Sequence, residues 1–313
     1  ALPLACSKKP APDGVFKVAL LSPGPISDQG WNASAYEGLL LIKEKLGADI
    51  AQTESKNPLE FEEGFRHYAA QGYALVFGHG FEFQDAAAKA GAQFPKTVFI
   101  STSGKSSHPP NVSGIALRLE DATYLAGWLA GRLTRTGKAG MVGGMEIPAL
   151  KPGFNAFARG FREARPGGQI KVIYLGSWED SAAGAAAAKT LIGSGCDFLI
   201  HNADAAGLGV FKTAQDTGKA LVFGTNRNQN DVAPEVILAS ASLDIPGAFL
   251  RVAQSVKDGS FHGQVLELGL ANGLASLIIN PRLESRIPPE VRKELAALEA
   301  RVKSGALKIP AEF

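Results

Sequence analysis

Cysteine is nearly absent. The chain of 313 residues has two, Cys6 and Cys196, far apart and in unlike settings. Cys196 opens the apolar run CDFLI and reads as a small core residue. No C-x-x-C pair or other Cys/His metal spacing occurs, so no metal site is expected. An excess of one charge is lacking too. Lys and Arg number 32 against 30 Asp and Glu, a formal +2, with no basic stripe. That removes the electrostatic footprint of a nucleic-acid binder. No apolar run approaches the roughly 18 residues that a membrane helix needs.

Catalytic signatures are also missing. There is no G-x-S-x-G elbow and no H-E-x-x-H. GRLTRTGKA resembles a phosphate loop, but five residues separate Gly131 from Gly137, and Ala139 stands where Ser or Thr is required. No G-x-G-x-x-G follows a strand-like run, which argues against a nicotinamide cofactor; none of any kind is expected. Of five histidines, His79 and His201 alone lie on loops of interest. A two-histidine active site is the enzyme reading they leave open, and the expectation is a protein without catalysis.

What is present is an alternation. Short β-rich runs such as YALVF, TVFI, VIYL, DFLI and ALVF read as strands buried on both faces. Amphipathic stretches such as AYEGLLLIKEKLG lie between them. This predicts an α/β fold of parallel sheets and crossover helices. A repeat runs beneath it at an offset of 123: GWNASA meets GFNAFA, Gly72 meets Gly195, Lys89 meets Lys212 and Lys96 meets Lys219. One offset serving four anchors predicts two similar lobes, roughly 17–117 and 140–240. LRLEDATYLAGWLAGRLTRTGKAG reads as a helix leading into the second lobe and LDIPGAFLRVAQSVKDG as a helix after it. Short extended segments follow, then a last helix over PPEVRKELAALEARVKSG, with Pro289 near its start and Gly305 at its end. The opening ALPLACSKKPAPDG reads as the end of a lipoprotein signal with Cys6 as the lipidated residue, or as a plain terminus with a chance cysteine.

Ligands of open α/β sheets bind beyond the carboxyl ends of the strands. The loops so selected are 22–32, 78–83, 102–105, 145–151, 177–180, 201–207 and 225–229. They hold Asp28, Trp31, Asn32, Phe81, Trp178, Asn202, Asp204, Gly207 and Asn226, with Tyr36 one helical turn past Asn32. Aromatic faces beside neutral and acidic hydrogen-bonding groups suit a flat, polar, uncharged ligand. Each residue also has a structural use. Asp28 or Asn32 could cap the helix start. Trp31, Tyr36 and Phe154, the repeat partner of Trp31, could pack into a core. Asn202, Asp204 and Gly207 suit a turn.

SDQGWNASAYEGL, LVFGHGFEFQDA, NVSGIALRLEDATYLAGWLAG, GMVGGMEIPALKPGFNAFARGF and IYLGSWEDSAAGAAAAKTLIGSGCDFLIHNADAAGLGVF together resemble the basic membrane protein family. The resemblance runs from about residue 15 to 308. It implies substrate-binding lipoproteins of bacterial ABC importers, with a type I periplasmic-binding-protein fold of two Rossmann-like lobes and about three crossovers. Residues 1–14 would be signal remnant and tether, 15–120 with 245–278 the first lobe, and 121–244 with 279–313 the second. The implied ligands are purine nucleosides, or free purine bases in some members. Asp28, Trp31 and Asn32 would line the cleft, with Phe81, Trp178 and the 201–207 turn opposite. The implied partners are a membrane permease and a lipid on Cys6; the implied location is extracytoplasmic, as a monomer. One stretch departs from the family pattern. The family commonly carries an acidic G-x-D-x-D-Q loop whose first Asp binds ribose hydroxyls. This chain has GTNRNQ, with Asn226 and Asn228. A lysine often follows in the next strand, where SASLD places Leu243 and Asp244. That weakens the ribose half of the expectation and favours a free base or an unusual nucleoside. The rivals are a binder of a sugar or small acid, for which Arg227 and Lys151 speak, a nucleoside-metabolising enzyme, and a regulator. A regulator would need a DNA-binding module, for which residues 1–14 are too few.

Overall fold

A computed structural model describes residues 14–28 and 30–311. Cys6 and its expected lipid lie outside the described residues. By their contacts the residues fall into two compact units. Among the described residues the first is 14–24, 35–115 and 246–266; the second is 25–28, 30–34, 116–245 and 267–311. Apart from the short excursion at 25–34, the chain passes between units three times, after 115, 245 and 266.

The first unit carries β1 (Lys17–Ser22), α1 (Trp31–Leu46), β2 (Asp49–Glu54), α2 (Pro58–Ala70), β3 (Leu75–Gly78), α3 (Gln84–Gln93), β4 (Val98–Thr102) and β5 (Val112–Leu117). α8 (Ile245–Lys257) and β11 (Leu266–Leu268) return to it, and its sheet runs β11-β5-β4-β3-β1-β2. The second carries α4 (Leu119–Leu133), β6 (Lys138–Gly143), α5 (Lys151–Ala164), β7 (Gln169–Tyr174), α6 (Ser181–Gly193), β8 (Phe198–Asn202), α7 (Gly207–Thr217), β9 (Leu221–Asn226), β10 (Ile237–Leu243), β12 (Ala275–Ile279) and α9 (Pro289–Lys303). Its sheet runs β12-β10-β9-β8-β6-β7. The pairs β1–β2, β1–β3, β3–β4 and β4–β5 are parallel, as are their counterparts β6–β7, β6–β8, β8–β9 and β9–β10. β12 adds an antiparallel edge beside β10. Residues 275–278 lie in this pair and fall in the second unit, whereas the sequence reading put them in the first lobe.

The repeat is visible in this order. β3 and β8 begin at 75 and 198, β4 and β9 at 98 and 221, which is the offset of 123 in both cases. Gly72 and Gly195, the matched glycines before β3 and β8, share positive φ, 77° and 93°. A turn in that region takes glycine at little cost. The central strands are buried along their length, as continuous apolar runs require; β10 is buried at every position. VIYL is the exception. It belongs to the edge strand β7, and Val172 is 43% exposed. A strand with one neighbour keeps part of one face in water.

Helix ends follow local chemistry. Asn57 caps α2 by accepting from Glu60 N at 3.1 Å, with Pro58 in the first turn. Asp180 caps α6 through Ala183 N at 2.9 Å. Gly218 ends α7 and Gly305 follows α9, both left-handed. Apolar clusters fill the sheet faces: Phe61, Phe65, Phe83 and Phe99 in the first unit, and Leu125, Leu129, Phe157, Phe161 and Phe223 in the second. No helix among the described residues is long and apolar enough to cross a membrane.

Candidate functional site

The carboxyl ends of the strands hold the unusual backbone. Three non-glycine residues have positive φ among those described: Ser103 (57°), Asp204 (45°) and Asn226 (69°). Ser103 follows β4, Asp204 lies two residues beyond β8, and Asn226 ends β9. Strain of this kind costs about 1–3 kcal/mol each and concentrates where function requires a set geometry.

In the second unit, the start of α1 is organised by Asp28. Its Oδ1 accepts from Gly30 N and Ala33 N at 2.9 Å each. Its Oδ2 accepts from Asn32 N at 2.7 Å and Asn32 Nδ2 at 2.9 Å. Four donors converge on one buried carboxylate, so Asp28 caps the helix and holds the Asn32 amide. With its Nδ2 held by Asp28, Asn32 keeps an acceptor, Oδ1, that is buried and meets no donor among the described residues. Trp31 beside it is half-buried. This segment, 25–34, packs with the second unit, where a Cβ on Gly30 would stand 3.6 Å from Asp204 Oδ1.

The Trp178 indole packs against Gly144 just past β6; any Cβ there would run into the ring. Trp178 O accepts from Ala206 N at 2.9 Å, tying it to the turn after β8. On the neighbouring strand ends, Asn226 Nδ2 donates to Asn202 Oδ1 at 3.2 Å. Asp244 is exposed, its N–H bonded to Leu274 O at 2.8 Å. Trp178, Asn202, Asp204, Gly207 and Asn226 thus share one sheet edge. Tyr36 and Phe81 belong to the first unit. There Tyr36 is half-buried on α1, Phe81 is 41% exposed after β3, and the His79 ring nitrogen Nδ1 meets Thr102 Oγ1 at 3.0 Å. Phe154 sits in the core.

Sequence reasoning passed over Gly144, whose missing side chain makes room for the indole, and Glu82, which lies unremarked on the selected loop 78–83. It also left His201 as a minor active-site alternative. His201 is fully buried below Gly207, whose absent Cβ leaves room for the ring, and packs edge-on to Phe211 at 4.6 Å. Among the described residues neither ring nitrogen meets a partner at hydrogen-bond geometry. Burial lowers the imidazole to about 4, the Gln229 side chain opposing in part. A consequence follows for acid. The unfolded imidazole takes its proton near 6.5, the folded one near 4, so between these values the unfolded chain binds more protons. Stability is full above about 6.5 and should fall by about 3 kcal/mol as pH drops toward 4. Urea titrations at pH 7 and 4.5 should show this loss, and His201→Asn should remove most of it; an unchanged pH dependence in that variant would contradict it.

Among the described residues no group of His, Cys, Asp and Glu could hold a metal ion. Comparison with known proteins gives the family. The model of the Bmp family, described as ABC transporter substrate-binding protein PnrA-like, matches residues 15–312. The chain belongs to this family. It is the substrate-binding component of an ABC transporter, and the family is one of solute-binding proteins, not enzymes. Such components of importers work outside the cytoplasm. A purine-binding protein of Brucella abortus is 28% identical over 93% of this chain and 82% of its own length. The ABC transporter nucleoside-binding protein BmpA of Lactococcus lactis is 26% identical, over 92% and 86%. The solute-binding protein of an ABC transporter system from Aeropyrum pernix superposes with a TM-score of 0.86 at 20% identity, covering 95% of this chain and 94% of that one. The type I periplasmic-binding-protein fold of this Bmp protein agrees with that likeness.

Proposed function

We propose that this Bmp protein binds a purine nucleoside or free purine base at the strand ends and delivers it to a membrane permease. The observation that carries the reading is Asn32: a buried amide acceptor without a donor among the described residues, held in place by Asp28 and flanked by Trp31. A buried acceptor left unpaired costs about 1–3 kcal/mol, and a ligand N–H removes that cost. Flat purines suit the indole faces of Trp31 and Trp178. Asn202 and Asn226 offer mixed donors and acceptors for a heterocycle edge or a sugar hydroxyl. Purine and nucleoside binding named for two relatives support the same class. Tyr36, Phe81, Asp204, Gly207 and Asp244 complete the proposed contact set. An N-terminal lipid on Cys6 would keep the protein at the extracytoplasmic face of the cell membrane beside its permease.

Calorimetry against adenosine, guanosine, inosine, adenine, guanine, sugars and small carboxylic acids tests this. At least one purine should bind with Kd below about 1 μM, near −8 kcal/mol. Binding of a sugar or acid with silence toward every purine would replace the reading, and chromatographic loss of inosine or guanosine on long incubation would make it an enzyme.

A further inference from the structure

The carboxylates chosen from sequence are engaged within the protein. Asp28 is filled by four donors of its own helix start. Asp204 and Asp244 each interact with protein groups. Glu82 differs. It follows β3 at the carboxyl edge of the first sheet, between Phe81, which is 41% exposed, and the buried Phe83. Its carboxylate folds back flush over Gly80, in the space a Cβ at that position would take. No other described residue donates to it or forms an ion pair with it; the donor it has is its own backbone N–H. Burial raises the pKa of this carboxyl. A half-buried carboxylate whose donor is its own backbone N–H keeps acceptor sites that another molecule can fill.

We propose that Glu82 is a specificity-determining ligand contact, accepting hydrogen bonds from the N–H or O–H donors of the bound molecule. This rests on the purine reading above. With Phe81 alongside, Glu82 makes the carboxyl edge of the first sheet selective for ligands that offer paired donors. The donors are either the amino and ring N–H groups of the base or the hydroxyls of a ribose. Bonds to an ionised acceptor are roughly twice as strong as neutral ones, so the amide that replaces it cannot substitute fully.

The test titrates wild type, Glu82→Gln and Gly80→Ala with adenosine, adenine and 2′,3′-dideoxyadenosine. Gly80→Ala keeps the charge and displaces the carboxylate. Thermal melts confirm that each variant is folded. Both variants should bind the tightest ligand at least tenfold more weakly. A loss confined to adenosine assigns the hydroxyls; an equal loss for all three assigns the base. Affinities within twofold of wild type for every ligand would overturn the role of Glu82 while leaving the purine reading intact. Silence of the wild type toward all three and toward guanine and guanosine would overturn both.

Discussion

Replacing Gly160 with leucine should unfold the second unit or cut its stability by at least about 3 kcal/mol. α4 and α5 approach through glycine on both sides. A Cβ on Gly160 would meet the Tyr124 carbonyl and, at 2.8 Å, Trp128 N; one on Gly127 would strike the Phe157 carbonyl; one on Gly131 would stand 2.6 Å from the Phe161 carbonyl. These obstacles are backbone, so no rotamer change relieves them. The helices must separate, and separation opens the core that Leu125, Leu129, Phe157 and Phe161 close between them. Packing at native density leaves no slack for that movement. A unit of ordinary stability, about 5–15 kcal/mol, loses a large fraction of it. The control lies in the same helix. A Cβ on Gly153 meets the Thr123 side chain at 3.8 Å, an ordinary contact. Gly153→Ala should be neutral or gain up to about 1 kcal/mol from helix propensity. Urea denaturation of both variants checks the pair. Equal stability would mean that α4 and α5 do not pack as described.

That contact also marks where sequence reading stops. The alternation of apolar runs and amphipathic stretches was legible because buried parallel strands leave no polar face to confuse the pattern. The repeat was legible because turn glycines recur: Gly72 and Gly195 need the same left-handed backbone, and composition there is constrained twice by one geometry. VIYL was misjudged as a central strand because an apolar run carries no mark of its place in the sheet; β7 is an edge. The close approach of α4 and α5 was hidden for a similar reason. Glycine inside a helical pattern signals weak propensity before it signals contact.

The candidate site was legible by position and less so by role. The rule that ligands sit beyond strand carboxyl ends selected the loops that hold Ser103, Asp204 and Asn226, the three strained non-glycine residues described. It could not say which carboxylate was spent. Asp28 and Glu82 look alike as acidic residues on selected loops. Hydrogen-bond geometry separates them: one has four donors from the helix it caps, the other has its own N–H alone. Nor did the linear repeat foretell that 25–34 packs with the second unit while the rest of α1 stays with the first. A local sequence pattern does not record which body a segment touches.

Asp28→Asn should be the more damaging of the changes at the helix start, and for a reason that divides stability from binding. The new side chain keeps one acceptor for Gly30 N and Ala33 N but turns an N–H₂ toward the two Asn32 donors now bonded to Oδ2. Two charge-assisted bonds become donor–donor contacts, and the expected loss is about 2–4 kcal/mol in a buried setting. Asn32→Ala removes one of those bonds and leaves the backbone N–H donating to Asp28, so its stability cost should be near 1 kcal/mol. Both variants should weaken the purine by at least tenfold, because Asp28 orients the amide whose free Oδ1 the ligand meets. The double variant decides how. If Asp28 acts through Asn32, then Asp28→Asn in an Asn32→Ala background adds instability without further loss of affinity, and the binding coupling energy nearly equals the single Asp28→Asn effect. If the losses in affinity instead add, the carboxylate itself touches the ligand, and the role of Asp28 as cap alone is wrong.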